Sequence, residues 1–121
     1  MAQAKDAAPQ VQKAARSHAP QAKVRIIADF HLHSKYSRAT SRAMEPETMA
    51  QWAALKGIDL LGTGDFTHPL YLAELKAKLE PAEPGLYRLR RGERRVRFVL
   101  SAEVANVYSQ GGRVRRVHTL I

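Results

Sequence analysis

Residues 24–33, VRIIADFHLH, combine an aliphatic run with a segment in which polar and apolar side chains alternate. The aliphatic part, Val24 to Ala28, predicts a β-strand. Residues 1–23 are rich in Ala, Gln and Lys, and Val11 is their single large aliphatic residue. Such a segment buries too little apolar surface to offset the entropy lost on ordering. We therefore predict a disordered tail over residues 1–23.

The rest of the chain alternates between predicted helices and strands. Proline at the first helical position and glycine just after the last one indicate a helix over residues 46–56, with Trp52 as its main core anchor. A second helix begins at Pro69 and stops before Pro81. The predicted strands cover residues 58–62, 86–90 and 96–104, and a hairpin turning at Gly111-Gly112 leads into residues 114–121. This alternation is typical of a parallel α/β sheet, which is the fold class that we predict.

The composition narrows the possible chemistry. The 121 residues carry a formal net charge of +9 at pH 7, which favours a polyanionic partner. The chain has no cysteine, so any metal ion must be held by His, Asp and Glu side chains. No apolar run has the length of a membrane span, and the N-terminus has no apolar segment of the secretory kind. We expect a cytoplasmic protein without a membrane partner.

Polar side chains alternate at the end of the first predicted strand. The period of two places Asp29, His31 and His33 on one face, and Phe30 and Leu32 on the face where helices would pack. Two imidazoles at this spacing can hold one metal ion, and Asp29 could orient one of the rings. A pair of structural polar residues beside a loop is the alternative interpretation.

Further candidate ligands follow the later strands. Asp65 and His68 come after the second strand, and Asp65 could alternatively cap the next helix. Glu103 lies at the end of the third predicted strand, and His118 lies in the last one. The carboxyl ends of the strands in a parallel α/β barrel converge on one rim, where two or more divalent cations could be held. The predicted metal ligands are His31, His33, Asp65, His68, Glu103 and His118.

Glycines flank Thr63 in a pattern that could suggest a phosphate-binding loop. A nucleotide-binding P-loop needs Lys followed by Ser or Thr after its last glycine, whereas Asp65 and Phe66 follow Gly64 here. The sequence therefore gives no support for nucleotide hydrolysis.

Arginines form a second group of candidate functional residues, late in the chain. Guanidinium groups bind phosphates through paired hydrogen bonds, and Tyr87 and Phe98 could offer stacking faces to bases. We expect this group to lie beside the metal rim; a solvated ribbon is the alternative. The predicted DNA-binding residues are Arg88, Arg90, Arg91, Arg94, Arg95, Arg97, Arg113, Arg115 and Arg116.

These motifs resemble the PHP (polymerase and histidinol phosphatase) superfamily of metal-dependent phosphoesterases. Its first two motifs look like Asp29-Phe30-His31-Leu32-His33-Ser34 and Gly64-Asp65-Phe66-Thr67-His68. Its strand-end acid and following histidine look like Glu103 and His118. Within the superfamily, residues 33–41, 62–69 and 112–118 resemble endonuclease Q. The resemblance covers about residues 24–121.

The resemblance implies a distorted (β/α) barrel with a trinuclear metal site. Residues 24–121 would form its N-terminal part, and because the superfamily's later histidine and Asp-x-His motif are absent, we expect an incomplete barrel that is inactive alone. In the complete enzyme His31 and His33 would hold one ion and Glu103 would bridge two. Asp65, His68 and His118 would complete the neighbouring ions, with Glu103 and Asp65 as the catalytic residues.

The resemblance also implies a substrate and its cofactors. Enzymes of the endonuclease Q type hydrolyse the DNA phosphodiester on the 5′ side of deaminated bases such as uracil and hypoxanthine, or of abasic sites. The expected cofactors are divalent ions, Zn²⁺ with Mg²⁺ or Mn²⁺ as possibilities. The alternatives are a PHP-type phosphatase of a small phosphate ester and a nucleic-acid-binding module without catalysis.

Overall fold

Residues 22–121 are described by a computed structural model of the chain. The predicted tail over residues 1–23 lies outside the described residues apart from its last two. The elements are β1 (Ala28–Asp29), α1 (Pro46–Lys56), β2 (Leu60–Gly62), α2 (Pro69–Lys78), β3 (Leu79–Pro81), β4 (Tyr87–Leu89), β5 (Arg97–Val99), β6 (Glu103–Gln110) and β7 (Arg113–Leu120).

The strands form a five-stranded sheet in the order β1-β2-β5-β4-β3 and a separate two-stranded sheet of β6 and β7. β1, β2 and β5 are parallel, whereas β4 is antiparallel to both β5 and β3. The fold is therefore mixed α/β, and the purely parallel sheet predicted from the sequence is limited to three strands. A short return strand can pair antiparallel because only the loop 90–96 separates β4 from β5.

Helix α1 has the predicted bounds. Gly57 ends it in the left-handed conformation, at φ 73°, and its N–H donates to the carbonyls of the last turn. The prediction of Trp52 as core anchor is wrong, because its side chain is 60% exposed. The small residues Ala50 and Ala53 face the core and let the helix approach the sheet closely, which leaves the indole at the side. There it lines an apolar cleft of about 380 Å³ between α1 and β1.

Helix α2 begins at Pro69 as predicted and ends at Lys78, where the chain turns directly into β3. Its Tyr71 is fully buried, and the Tyr71 hydroxyl donates a 3.0 Å hydrogen bond to the carbonyl of Thr63 at the end of β2. Neither helix has the length and apolar character to cross a membrane within the described residues. The buried core consists of Met49, Ala50, Ala53, Leu61, Tyr71, Leu75, Leu79, Leu89, Val96 and Phe98.

Two strand predictions need correction. The run over residues 24–28 forms a strand only from Ala28, since Val24, Ile26 and Ile27 are exposed and lie before the start of the neighbouring strand β2. The predicted strand 96–104 is divided between β5 and the start of β6. The N–H of Ser101 donates to the Thr63 hydroxyl instead of to a backbone carbonyl of a neighbouring strand. Glu103 therefore begins β6 rather than ending the preceding strand. The predicted hairpin is confirmed, with Gly111 and Gly112 at positive φ in its turn.

Candidate metal centre

The segments that follow β1 and β2 touch each other. At Gly64, which has a φ of 63°, an added Cβ would lie 2.1 Å from the carbonyl oxygen of Leu32. A side chain at this position would therefore force the two segments apart. This close approach places Asp65 beside His33, with 3.3 Å between Oδ1 of Asp65 and Nδ1 of His33.

Glu103 lies at the centre of three imidazoles. One of its oxygens, Oε2, is 3.1 Å from Nε2 of His31 and 2.9 Å from Nε2 of His33. Its other oxygen contacts Nδ1 of His118. Hydrogen bonds from His31 and His118 hold the pKa of Glu103 below its ordinary value, so the group is a carboxylate near neutral pH.

Asp65 is held by Ser34, a residue that the sequence analysis did not identify as part of the site. The N–H and the hydroxyl of Ser34, which is fully buried, donate to Oδ2 of Asp65 at 2.6 and 2.8 Å. Burial raises the pKa of Asp65, but the hydrogen bonds from Ser34 and His33 outweigh burial and lower it. Asp65 also has a positive φ of 44°, which is unusual for a residue other than glycine. Its carboxylate is thus ionised and fixed in orientation.

His68 precedes α2 and borders the same site without touching Glu103. It lines a cavity of about 180 Å³ together with Tyr36, Ser37, Asp65 and Glu103. The buried Nδ1 of His68 has no hydrogen-bond partner among the described residues. Five of the six predicted ligands are therefore linked through pairwise contacts, in which Glu103 meets the three histidines and His33 meets Asp65, and the sixth lines the adjacent cavity.

The donor atoms suit a divalent metal ion. The ligand atoms of His31, His33 and Glu103 all lie within 4.8 Å of one another, so that one ion could contact all three. Imidazole nitrogen and carboxylate oxygen are ligands of zinc and, for the carboxylates, of magnesium and manganese. The residues present fit the predicted metal group.

The expectation that Asp29 orients an imidazole ring changes, whereas the absence of a phosphate-binding loop at Thr63 and Gly64 agrees with the sequence analysis. The carboxylate of Asp29 accepts from the backbone N–H of His31 at 3.1 Å, so it orients the backbone rather than a ring. The N–H groups of Thr63 and Gly64 donate to Val99 and to the Ser101 hydroxyl, which leaves neither for a phosphate.

A second acidic group has its charge compensated by lysines. The carboxylates of Glu45, Glu47 and Glu74 could together hold an ion. However, Nζ of Lys78 lies 2.7 Å from Glu74 and 2.8 Å from Glu47. Nζ of Lys35 lies 3.3 Å from Glu45. These ammonium groups occupy the position that a cation would take.

The first group of arginines, at residues 88–97, lies away from the metal ligands. Arg97 pairs with Leu60 at the start of β2, whereas the ligands follow the other ends of these parallel strands. The expectation that residues 88–97 lie beside the metal rim is therefore wrong, because β4 and β5 are joined at the opposite end of the sheet. Phe98 is fully buried and offers no stacking face. The ion pairs in this group are Arg88–Glu80, Arg94–Glu80, Arg95–Glu93 and Arg97–Glu83.

The second arginine group shares an element with a candidate ligand. Arg113, Arg115 and Arg116 lie on β7 with His118, and all four are exposed. None of these three arginines forms an ion pair within residues 22–121. Arg116 lies two residues before His118, whereas Arg113 pairs with Gln110 beside the hairpin turn, so Arg116 is the arginine of this group nearest to the ligands along β7.

Comparison with known proteins shows similarity to endonuclease Q. The lesion-specific endonuclease PfuEndoQ from Pyrococcus furiosus matches 64% of this chain at 36% identity and a TM-score of 0.58. A structure of endonuclease Q with a 27-mer duplex substrate, which has an abasic lesion at the active site, matches 63% of the chain at 37% identity and a TM-score of 0.56. The resemblance to endonuclease Q inferred from the motifs is confirmed.

The similarity is confined to a small part of these proteins. The chain spans 18% of each endonuclease structure. It is also 48% identical, over 48 residues, to an uncharacterized protein of Methanocaldococcus jannaschii, a match that covers 40% of this chain and 6% of that protein. No family model matches the chain.

Proposed function

We propose that residues 24–121 form the N-terminal part of a PHP-type (β/α) barrel in a metal-dependent DNA-repair endonuclease. The observation that carries the proposal is the convergence of His31, His33 and His118 on Glu103, with Asp65 beside them. The similarity to endonuclease Q supports the reaction class. Because the chain spans 18% of those structures, we propose that it supplies only part of the site and is inactive alone.

The proposed ligand set consists of two carboxylates and four imidazoles. His31 and His33 would hold one ion, and Glu103, whose two oxygens face different imidazoles, would contribute a ligand to that ion and to a neighbouring one. Asp65 and His68, which line the same cavity as Glu103, would supply further ligands. Divalent ions held by these residues would lower the pKa of a bound water molecule and stabilise the leaving oxygen of a phosphodiester. Zinc is the ion favoured by this many imidazoles, and Mg²⁺ or Mn²⁺ suits the carboxylate side.

The proposed substrate is damaged duplex DNA. One endonuclease Q structure contains a duplex with an abasic lesion, and we extend the substrate to deaminated bases, with cleavage on the 5′ side. The net charge of +9 supports a polyanionic substrate. The β7 arginines, on the strand that carries His118, supply phosphate contacts near the ligands.

A chimaera tests this function. The matching segment of the Pyrococcus furiosus enzyme is replaced by the corresponding residues of this chain, and incision of duplexes with an abasic site, with uracil and without damage is measured with Mn²⁺ or Mg²⁺. We expect nicking 5′ of each lesion and none of undamaged DNA. Glu103→Gln in the chimaera should lower the rate on the order of 10²-fold or more, the effect of removing a group that stabilises transition-state charge.

The control substitution is Glu93→Gln, which makes the same chemical change on the β4–β5 loop and should leave the rate unchanged. The 121-residue chain alone should incise none of the three duplexes. A folded chimaera that hydrolyses a small phosphate ester but no DNA would favour the phosphatase alternative. Duplex binding that is independent of metal, without incision, would favour the non-catalytic module.

A further inference from the structure

The loop over residues 34–44 is held rigidly next to the metal ligands. The N–H of Lys35 donates to the carbonyl of Met44 at 2.8 Å and closes the loop. The hydroxyl of Thr40 donates to the carbonyls of Ser34 and Ser37 at 2.8 and 3.0 Å. The loop therefore presents its side chains in a fixed arrangement, and one of them, Tyr36, reaches His68.

The aromatic ring of Tyr36 lies flat on the imidazole of His68. Their centroids are 4.7 Å apart and the planes differ by 20°. The Tyr36 hydroxyl donates to Oε2 of Glu74 at 3.2 Å, and Glu74 lies on α2, six residues after His68. The same ring lies 5.9 Å from the buried ring of Tyr71. Tyr36 is thus fixed at both ends against α2, the helix that His68 precedes.

The acceptor of the Tyr36 hydroxyl is fixed as well. Nζ of Lys78 lies 2.7 Å from Oε1 of Glu74, and Nζ of Lys35 lies 3.1 Å from Oε2. Lys78 also contacts Glu47 of α1. The position of Tyr36 is therefore determined by both helices and by its own loop.

A hydrogen-bond chain connects Tyr36 to Asp65. The N–H of Tyr36 donates to the Ser34 hydroxyl at 3.2 Å, and that hydroxyl donates to Asp65 at 2.8 Å. Tyr36 consequently contacts His68 directly and Asp65 through Ser34.

A metal-binding histidine is usually oriented by a hydrogen bond to its second ring nitrogen. The buried Nδ1 of His68 has no such partner among residues 22–121. The Tyr36 ring is the stacking contact of the imidazole, and it sets the plane in which the ring nitrogens lie.

We infer that Tyr36 is a positioning residue, which orients His68 for a divalent metal ion by stacking rather than by hydrogen bonding. The inference rests on the proposed function, because it needs His68 to be a ligand. It predicts that the flat ring of Tyr36 matters for metal affinity and that its hydroxyl matters much less.

Metal affinity of the full chain tests the inference. Zn²⁺ and Mn²⁺, each alone, are titrated against a competing chelator, and bound metal is counted by elemental analysis. Tyr36→Leu should lower the affinity of the ion held by His68 by roughly 10- to 100-fold, the range found when the groups orienting a ligand are removed. Tyr36→Phe keeps the ring and should stay close to the wild-type affinity. Tyr108→Leu, the same change on β6, is the matched control and should change nothing.

A double mutant separates positioning from a general effect on folding. If Tyr36 acts through His68, Tyr36→Leu should lower metal affinity no further in a His68→Ala background. An equal loss in both backgrounds would overturn the inference. So would wild-type affinity in Tyr36→Leu.

An NMR measurement on the metal-free chain gives a second readout. Nuclear Overhauser contacts between the Tyr36 and His68 rings should be present in wild type and in Tyr36→Phe, and their absence would overturn the inference. A wild-type chain that binds no metal although these contacts are present would overturn the proposed function and, with it, the metal role of Tyr36. If the wild-type chain binds metal and Tyr36→Leu binds it with the same affinity, the inference would be overturned while the proposed function would stand.

Discussion

Gly64 shows how one residue sets the distance between two ligand-bearing segments. Its φ of 63° is accessible to glycine, and its missing side chain lets the carbonyl of Leu32 approach. The neighbouring Asp65 is the residue that meets His33 and Ser34. The geometry of the metal centre thus depends on a position without a functional group.

Gly64→Ala should destabilise the chain more than Gly57→Ala, although both glycines have positive φ. At Gly57 the change costs only the left-handed backbone strain of about 1–2 kcal/mol, because nothing lies within 4 Å of the added Cβ. At Gly64 the Cβ would additionally collide with Leu32. Urea unfolding of both variants measures the difference. Equal losses would show that the close approach is not required.

Glu74 makes a pH-dependent contribution to stability. Burial raises its pKa, but hydrogen bonds from Lys78 and Lys35 outweigh burial and hold the pKa below the ordinary value of 4.5. A carboxylate with a lowered folded-state pKa stabilises the fold fully above 4.5 and loses this contribution as the pH falls through the folded-state value.

Glu74→Gln should therefore lower the free energy of unfolding by about 1 kcal/mol at neutral pH, the effect of a partly exposed ion pair. The difference from wild type should shrink progressively below pH 4.5, where the wild-type carboxylate becomes protonated. Urea unfolding at neutral and at acidic pH measures this trend. A difference of the same size at every pH would contradict the assignment.

At the scale of the element, the β6–β7 hairpin sorts its side chains between two faces. Glu103 pairs with Leu120, and His118 pairs with Ala105. The period of two places Arg116 on the face of Glu103 and His118, and Arg115 on the opposite face. The three arginines of β7, which are equivalent in the sequence, are therefore not equivalent in the fold.

Arg116→Ala should weaken binding of an abasic duplex by this chain more than Arg115→Ala. If Arg116 neutralises one phosphate near the metal ligands, its loss should reduce the slope of log affinity against log salt by roughly 0.9. Fluorescence anisotropy at several salt concentrations measures both quantities. Identical slopes in the two variants would show that the ligand-bearing face of the hairpin is not the face that contacts DNA.

At the scale of the whole molecule, the candidate metal centre joins two sheets. The hairpin contacts the segment that follows the first strand of the larger sheet through Glu103, which meets His31 and His33. An ion bound by these side chains would connect the hairpin to the five-stranded sheet.

Metal binding should accordingly stabilise the fold. At a free zinc concentration 100 times the dissociation constant, the free energy of unfolding should rise by roughly 2.7 kcal/mol. Excess chelator should reverse the gain, and the double variant His31→Ala/His33→Ala should show none of it. Thermal unfolding with and without Zn²⁺ measures the effect. An unchanged midpoint in wild type would contradict a metal site that forms on folding.

The local features of this chain followed from the sequence by itself. Pro46 and Gly57 bound α1, and Gly111 and Gly112 form the hairpin turn, because each acts through its own backbone geometry. The candidate ligands were also recognisable, since a metal ion selects few side-chain types and the motifs follow predicted strands.

The tertiary structure decided which of these residues meet. The hydrogen bond between Ser34 and Asp65 joins residues 31 positions apart, and the one between His31 and Glu103 joins residues 72 positions apart. No local spacing in the sequence therefore reveals either contact. Trp52 lies outside the core because the small side chains beside it let α1 approach the sheet. The first arginine group lies away from the metal centre because β4 returns antiparallel beside β5. Side-chain chemistry is encoded residue by residue, whereas packing and strand pairing depend on residues far apart in the chain.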